Sequence, residues 1–368
     1  MRAAVIDKPY SVVVNQVDTP NIKQSHEVKI QVKVTGICGS EVHAYHGTHP
    51  FRVPPVISGH ELAGIVVDVG NEVSSVSIGD RVTVEPHYGC GTCKRCRSGK
   101  YNICENKKVL GTQEWTGSFG EFIVVPESTV VPLPNNVSFE QGALIEPLAV
   151  GIHAVRKAKV GLGDKLAILG AGPIGLGILL AARNSGATKI FITDALEYNL
   201  EIAKRLGATH PIQTSKVDAT ETILKKTNGD GVDHVFIAVG IQAVLNDSFR
   251  IVKRGGKVSE VALFGKKPEI EISYLQNKEI QVIGSNMYTR DDFEIAADAI
   301  ATGMFDTSLF ISKILPIEEA KTGMKIVDEK LEDVIKVLLK FNDLILHSFY
   351  ENNKKLKLFY NSKKNFPI

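Results

Sequence analysis

The chain has 368 residues, of which 43% are hydrophobic, and its 43 basic and 41 acidic side chains leave a formal net charge of +2. A chain of this length is expected to form about two domains, and its apolar content excludes an intrinsically disordered protein. The near-neutral balance gives no electrostatic reason to expect nucleic acid or an anionic membrane as a partner. Because the first ten residues contain no apolar run typical of a signal peptide, we expect a cytoplasmic protein.

The N-terminal part of the chain, residues 1–148, is predicted to be a β-rich domain. Glu27–Val34 alternates strictly between apolar and polar residues, as a half-buried strand does. Similar runs follow at Leu62–Val69, Arg81–Glu85 and Phe119–Val125, and turn residues separate them. A barrel-like all-β unit accounts for this pattern.

Two short segments of this domain contain metal-binding side chains. Cys38 lies in Gly36–His43, and His60 and Glu61 follow in a Gly-His-Glu sequence. A thiolate, an imidazole and a carboxylate can form an open zinc site that leaves a position for water or substrate. A lone cysteine is more often a core residue, and a His-Glu pair is common, so the residues alone leave both interpretations open.

The other four cysteines lie in a polar loop within residues 88–107, at Cys90, Cys93, Cys96 and Cys104. In a cytosolic chain such a cluster indicates a metal site rather than disulfides. Four thiolates suit tetrahedral Zn²⁺, and a closed ligand shell leaves no position for substrate, so we predict a structural zinc. The alternatives are free buried thiols, an Fe–S cluster and a nucleic-acid-binding lobe, and the polar loop and neutral chain favour none of them.

From Lys165 onwards, predicted strands alternate with predicted helices, which indicates a doubly wound parallel sheet over residues 149–288. The predicted strands are Lys165–Gly170, Lys189–Asp194, Asp233–Val239, Lys257–Leu263 and Glu279–Ser285. The predicted helices are Glu197–Leu206, Gln242–Lys253 and Arg290–Gly303. The last helix begins a segment, residues 289–341, that we expect to rejoin the first domain. Residues 342–368 are interpreted as an atypical tail outside both cores.

The first of these strands ends in a glycine-rich turn, in which Gly170, Gly172 and Gly175 are spaced as G-x-G-x-x-G. Such glycines permit a tight turn and close approach to a pyrophosphate, which would rest on the helix N-terminus beside Pro173. Asp194 ends the next strand, where its carboxylate would accept hydrogen bonds from ribose hydroxyls and favour NAD over NADP. The alternative is a tight strand–helix turn with a surface aspartate.

These motifs occur in the order found in the medium-chain zinc-dependent alcohol dehydrogenases, which the chain resembles from Met1 to about Phe341. The resemblance rests on Gly36–Ser40, on GHELAG at Gly59–Gly64, on GDRV at Gly79–Val82 and on the four-cysteine loop. It implies an α/β protein in which a GroES-like β-barrel catalytic domain with a structural zinc lobe is joined to a Rossmann NAD-binding domain. It also implies a homo-oligomer, most commonly a tetramer in this family.

Within that superfamily the chain resembles the polyol branch. Ile145–Ala154 is similar to the sorbitol dehydrogenases, and Ile192–Tyr198 is similar to the threonine 3-dehydrogenases. Glu146 stands where simple alcohol dehydrogenases carry a second catalytic cysteine. The resemblance implies that Cys38, His60 and Glu61 bind a catalytic zinc, while Glu146 holds the zinc-bound water or replaces Glu61.

The resemblance also assigns roles around this zinc. Ser40 would pass the substrate proton towards His43 and solvent. Cofactor contacts are implied for Ile174, Asp194, Asn199, Val261, Leu263, Ser285 and Met287. Sorbitol dehydrogenases carry Arg-Tyr where this chain has Met287-Tyr288, and Tyr where it has Ala44, so sorbitol itself is not the expected substrate.

We therefore expect a two-zinc, NAD-linked enzyme that oxidises a secondary alcohol, such as a polyol or sugar acid, to a ketone by hydride transfer. L-threonine and 2,3-butanediol are the alternative substrates. The alternatives from other classes are a zinc-free reductase-like or binding relative that has lost the metal chemistry, and a nucleic-acid-binding zinc lobe. The combined motifs argue against both. Arg52, in the loop Thr48–Pro55, could clamp a substrate carboxylate; the alternative is a solvated loop arginine.

Overall fold

A computed structural model describes residues 1–342, and the predicted tail lies outside the described residues from position 343 onwards. The first strands are β1 (Arg2–Lys8), β2 (Ser11–Gln16), β3 (Glu27–Gly36), β4 (Glu61–Val69), β5 (Arg81–Val84), β6 (His87–Tyr88), β7 (Lys108–Val109), β8 (Phe122–Pro126) and β9 (Val130–Pro132). The helices in this part are α1 (Gly39–Tyr45), α2 (Lys94–Arg97), α3 (Phe139–Ala143) and α4 (Ile145–Ala158).

Strand β3 is the centre of the first large sheet. The four apolar residues predicted to share one face, Val28, Ile30, Val32 and Val34, are all fully buried. Strands β4, β8 and later β17 pair with β3 in antiparallel fashion, and β5 and β9 extend the sheet beyond β4. The β3–β4 register pairs Gly36 with Glu61, so the end of β3 lies beside the start of β4.

One predicted strand of this sheet begins later than expected. Phe119–Val125 was predicted, but β8 starts at Phe122. The backbone N–H groups of Ser118 and Phe119 donate instead to the carbonyls of Gly59 and Ser58. The segment before β8 therefore supports the backbone next to His60.

The second large sheet is entirely parallel and contains β10 (Lys165–Leu169), β11 (Lys189–Asp194), β12 (His210–Gln213), β13 (Val232–Ile237), β14 (Val252–Glu260) and β15 (Gln281–Gly284). The helices beside it are α5 (Pro173–Asn184), α6 (Glu197–Arg205), α7 (Ala219–Lys226), α8 (Gln242–Ile251) and α9 (Ser273–Lys278). The strand order is β12-β11-β10-β13-β14-β15, which is the doubly wound arrangement predicted from the alternating pattern. Strand β12, a short edge strand containing Pro211, gave no strand pattern in the sequence.

The chain then returns to the first sheet. After α10 (Arg290–Ala301) come β16 (Ile311–Pro316), α11 (Ala320–Glu329) and β17 (Lys336–Lys340). Strand β17 pairs with β3, with Leu338 opposite Gly36. The return predicted for residues 289–341 therefore places a late strand beside the Cys38 segment.

Helix α4 joins the two sheets. It packs on α5 and α10, and one buried cluster contains residues from both sides, including Ala63, Leu148 and Ile168. The domain limit predicted between residues 148 and 149 falls inside this helix. No helix in the described residues is long and apolar enough to cross a membrane.

Candidate metal and cofactor site

The four residues predicted to surround a catalytic metal come from three separate elements. Cys38 is the N-cap of α1, His60 and Glu61 lie at the start of β4, and Glu146 lies in the first turn of α4. The ligand atoms of His60, Glu61 and Glu146 lie within 4.8 Å of one another, and those of Cys38 and His60 do so together with Glu41. His60 thus joins the sulfur side of the cluster to its carboxylate side.

Glu41 is a member of this cluster that the sequence analysis missed. Its side chain is fully buried, and its Oε1 lies 2.9 Å from Nδ1 of His60 and accepts a 2.8 Å hydrogen bond from Ser58. Burial would raise the pKa of Glu41, but His60, Arg52 and the Ser58 hydroxyl lower it below its usual range. A carboxylate at Nδ1 fixes the imidazole with Nε2 free to bind a metal. The signal available in the sequence was an acidic residue three positions after Cys38.

Lys336 is the second missed residue. It lies on β17, is 2% exposed, and donates to both oxygens of Glu61 at 2.7 and 2.8 Å. Burial alone would lower the pKa of Lys336, but the charges of Glu61, Cys38 and Glu146 raise it. The pair is tightly enclosed, since a Cβ at Gly36 would lie 2.0 Å from Oε2 of Glu61. A lysine inside the apolar run of β17 was the signal in the sequence.

Glu146 faces the same cluster from α4. It is 7% exposed, and its Oε1 accepts a 3.0 Å hydrogen bond from the hydroxyl of Tyr288, which is fully buried. Burial raises the pKa of Glu146 to about 7, and the neighbouring Glu61 adds to this increase. Burial and a like-charged neighbour therefore both disfavour the charged form of Glu146.

Ser40 and His43 lie three residues apart on α1, and residues at this spacing share a helix face. The Ser40 hydroxyl is buried and has no hydrogen-bond partner in the described structure. His43 is half-buried. A buried hydroxyl followed by a partly exposed imidazole is an arrangement that can pass a proton outward.

Arg52 does not occupy the position expected for it. It is 5% exposed, and its guanidinium donates to the carbonyl of Leu110 and lies 3.5 Å from Glu41 and 3.0 Å from Nε2 of His49. The solvated-loop interpretation is therefore wrong. The structure directs the guanidinium towards Glu41 rather than presenting it as a free carboxylate clamp.

The four remaining cysteines converge in the loop predicted from their spacing. Their sulfur atoms all lie within 4.8 Å of one another, with Sγ–Sγ distances of 3.5 Å (Cys93–Cys96), 3.8 Å (Cys93–Cys104) and 4.0 Å (Cys90–Cys96). Four sulfurs bonded to zinc at about 2.3 Å in a tetrahedron would be about 3.8 Å apart. The loop therefore fits a closed tetrathiolate site.

The glycine-rich turn connects β10 to α5. Gly170 has φ +110°, Gly172 is the N-cap of α5, and Pro173 is its first residue. A Cβ at Gly175 would lie 1.9 Å from the carbonyl oxygen of Gly170, so only glycine allows this close helix–strand contact. The turn lies at the β10–β13 switch point, where doubly wound sheets bind dinucleotides.

Asp194 at the end of β11 is tied to this turn. Its Oδ2 accepts hydrogen bonds from the backbone of Ala171 at 2.9 Å and from Asn199 at 3.2 Å, and its Oδ1 accepts from the backbone of Leu196 at 2.9 Å. The carboxylate is thus held beside the turn in a fixed orientation. Asn199, for which the resemblance implies a cofactor contact, is neutral and adds no positive charge here.

The other residues predicted near the cofactor lie in two groups. Ile174, Val261 and Met287 are partly buried against one apolar cluster. The Ser285 hydroxyl is buried and without a partner in the described structure. Leu263 differs, because its side chain is 67% exposed.

Comparison with known proteins gives consistent matches. Residues 24–135 match the family model described as "Alcohol dehydrogenase GroES-like domain", and residues 173–302 match "Zinc-binding dehydrogenase". A sorbitol dehydrogenase of Bacillus subtilis (strain 168) is 34% identical over 92% of this chain and 97% of its own length. An L-idonate 5-dehydrogenase of Vitis vinifera is 37% identical over 78% of this chain and 80% of its own. The crystal structure of 2R,3R-butanediol dehydrogenase from Bacillus subtilis superposes with a TM-score of 0.84 at 32% identity, covering 93% and 99% of the two chains.

Proposed function

The chain belongs to the zinc-dependent alcohol dehydrogenases, and from this premise we propose that it oxidises a polyol or sugar acid at a secondary alcohol with NAD as acceptor. The observation that carries the proposal is that His60 belongs to two overlapping groups of ligand atoms, one with Cys38 and Glu41 and the other with Glu61 and Glu146. A thiolate, an imidazole and carboxylates in a partly buried pocket are the ligand set of an open zinc site.

We propose Cys38, His60 and Glu61 as the resting ligands, with Glu146 beside the open position. Zinc in such a site supplies Lewis acidity that lowers the pKa of a bound hydroxyl, and NAD accepts the hydride. Glu41 holds the His60 ring in the ligand orientation. Lys336 shares the charge of Glu61, which weakens Glu61 as a ligand and makes its replacement by Glu146 accessible.

The alcohol proton needs an exit from the buried pocket. The Ser40 hydroxyl has no protein partner, so it is free to accept a hydrogen bond from the substrate hydroxyl. His43 follows on the same helix face and reaches the solvent-accessible side. The pair is positioned to carry the proton outward by hydrogen-bond exchange, which is the general-base task of this reaction.

NAD would rest its pyrophosphate on Gly170–Gly175 and the N-terminus of α5, with Ile174, Val261, Ser285 and Met287 on the nicotinamide side. Asp194 would accept from the adenosine ribose. Its carboxylate would repel a 2′-phosphate, and Asn199 beside it is neutral, so we propose NAD rather than NADP.

A second zinc is proposed for Cys90, Cys93, Cys96 and Cys104, because their sulfur spacing fits a tetrahedral ion. The chain would therefore bind two zinc ions. Clusters of cysteines that bind metal rather than form disulfides are typical of a reducing compartment, which supports a cytoplasmic location.

The relatives act on a polyol, a sugar acid and a diol according to their names, and these three substrates share a secondary hydroxyl beside another oxygen. We propose the same class here. Sorbitol itself is the less favoured member, since Ala44 and Met287 offer no polar group.

We also propose a homo-oligomer, with a tetramer as the family expectation. Strand β15 forms one edge of the parallel sheet in the described residues, and Val282, Ile270 and Ile272 nearby are 46%, 49% and 70% exposed. We also propose that residues 1–148 and 289–341 form one domain and residues 149–288 the other. This division is supported by β16 and β17, which join the sheet of β3.

The decisive experiment follows NADH formation with hexitols, pentitols, L-gulonate, L-idonate, L-threonine and 2,3-butanediol, with NADP⁺ beside NAD⁺, while zinc is quantified in the same preparation. We expect two zinc ions per chain and turnover of a polyol or sugar acid with NAD⁺. Turnover of L-threonine alone would replace the substrate class but keep the chemistry. A protein with two zinc ions that binds no NADH would overturn the dehydrogenase assignment of this chain.

A further inference from the structure

The four-cysteine lobe, residues 88–107, touches the segment 286–290 that follows β15. The side-chain amide of Asn102 donates to the carbonyl of Asn286 at 2.9 Å, and the side-chain amide of Asn286 donates back to the carbonyl of Asn102 at 3.1 Å. Asn102 is 4% exposed. This reciprocal pair fastens the first residue of the segment to the lobe.

The other end of the segment is fastened by the neighbouring residue of the lobe. The Tyr101 hydroxyl accepts a 2.5 Å hydrogen bond from the backbone N–H of Arg290 and donates at 2.6 Å to Glu85. The Arg290 guanidinium in turn donates to the carbonyl of Val130 at 2.7 Å. Tyr101 and Asn102, which are adjacent in the lobe, thus hold the two ends of the segment 286–290.

Between these two anchors lie the groups that face the catalytic cluster. Tyr288 is fully buried and donates to Glu146 at 3.0 Å, and its ring lies 5.1 Å from that of His87. Met287 before it has φ +52°. A bulky residue in the left-handed region persists only where its surroundings enforce it, so the segment depends on its anchors for this shape.

The two anchors adjoin the sulfur cage, which is formed by Cys90, Cys93, Cys96 and Cys104. Tyr101 and Asn102 lie in a single turn that ends at Cys104. A Cβ at Gly89 would lie 2.5 Å from Sγ of Cys96 and 2.8 Å from Cβ of Tyr101, so the cage and the Tyr101 turn are packed against one strand end. Both anchors therefore lie in a turn that ends at one of the four cysteines and meets the sulfur of another at Gly89.

We propose that Asn102 and Tyr101 are positioning residues for the catalytic site: through the segment 286–290 they place Tyr288 against Glu146. The lobe thereby contributes to catalysis as well as to stability. The inference rests on the proposed function for its kinetic consequences only, because the placement of Glu146 can be observed without a substrate.

The test compares Asn102→Ala with Arg95→Ala, an exposed lobe residue without contact to the segment, in full-length protein with zinc in the lobe and cobalt at the catalytic position. We expect Asn102→Ala to keep both metals, to shift the visible ligand-field band of the cobalt, and to lower kcat on the order of 10-fold with little change in KM. Arg95→Ala should match the parent in metal content, in the cobalt band and in kcat.

A cobalt band and kcat equal to those of the parent in Asn102→Ala would overturn the proposal. So would a loss of kcat that occurs only with loss of the lobe zinc and leaves the band unchanged, since that describes a purely structural lobe. If Asn102→Ala does not fold, Tyr101→Phe removes a single hydroxyl and is measured in the same way. Should the parent oxidise none of the alcohols, the cobalt band still decides this inference, whereas the proposed function alone would fail.

Discussion

The two metal-binding clusters of this chain are built in opposite ways. The four cysteines of the lobe lie within fifteen residues of one another in sequence, and their local spacing already describes a closed tetrahedral site. The catalytic cluster gathers Cys38, His60 and Glu146 from distant segments. The pairing of β3 with β4 brings the first two together, and helix α4, which contacts β4, adds Glu146. A closed structural metal site can thus be encoded locally, whereas an open site needs walls supplied by segments from the whole fold.

The largest expected effect comes from removing one ligand from each cluster. We expect His60→Ala to abolish dehydrogenase activity and retain about one zinc per chain, the one in the lobe. Cys93→Ser should instead lose the lobe zinc and lower the thermal midpoint. Metal analysis of both variants after chelation checks this, and two tightly held zinc ions in His60→Ala would contradict the assignment.

The next largest effect concerns the buried pair across β4 and β17. Lys336→Met leaves the Glu61 carboxylate, which is fully buried, without its partner, and the cost of breaking such a pair is about 3–5 kcal/mol. Urea unfolding measures it. Lys340→Met, at the exposed end of the same strand, is the matched control and should change stability by less than about 1 kcal/mol. Recovery in the double variant with Glu61→Gln would show that the unpaired charge causes the loss.

Glu41 tests whether the catalytic cluster extends beyond its ligands. Because its carboxylate orients His60, Glu41→Ala should weaken catalytic zinc binding or activity by roughly 10–100-fold. Competition with a chromogenic chelator gives the affinity, while the lobe zinc serves as the internal reference. Equal loss of both zinc ions would mean that Glu41 acts only through general stability.

The smallest effect lies at the junction of the two clusters. Burial raises the pKa of Glu85 to about 7 from 4.5, so the folded protein binds this proton more tightly than the unfolded chain. The contribution of Glu85 is therefore complete below pH 4.5 and is lost as the pH rises through about 7. Glu85→Gln, which keeps an acceptor for Tyr101, should flatten the fall in thermal midpoint between pH 5 and 8. If the thermal midpoint of Glu85→Gln falls with pH as steeply as that of the parent, Glu85 does not cause this pH dependence.

Sequence patterns predicted several elements closely. The alternation of Glu27–Val34 led to β3, and Lys189–Asp194 was confirmed residue for residue as β11. The short edge strand β12 was not foreseen, because pairing rather than local pattern decides it. The late start of β8 was not foreseen either, because backbone contacts with Ser58 and Gly59 decide it. Arg52 was predicted as a substrate-carboxylate clamp or, alternatively, as a solvated loop arginine, yet its guanidinium is buried beside Glu41.

The sequence alone indicated the family, the α/β architecture with its doubly wound sheet, the four-sulfur lobe and the glycine-rich turn, since the residues that mark each of these lie close together along the chain. Only the tertiary structure decided that Glu41 and Lys336 belong to the catalytic cluster and that the lobe holds the segment bearing Tyr288. Those contacts join residues separated by up to 275 positions. The antiparallel pairing of β3 with β4 and β17 brings Lys336 to Glu61, and the hydrogen bonds of Asn102 and Tyr101 bring the lobe to the segment of Tyr288. No local pattern of residues can express either arrangement.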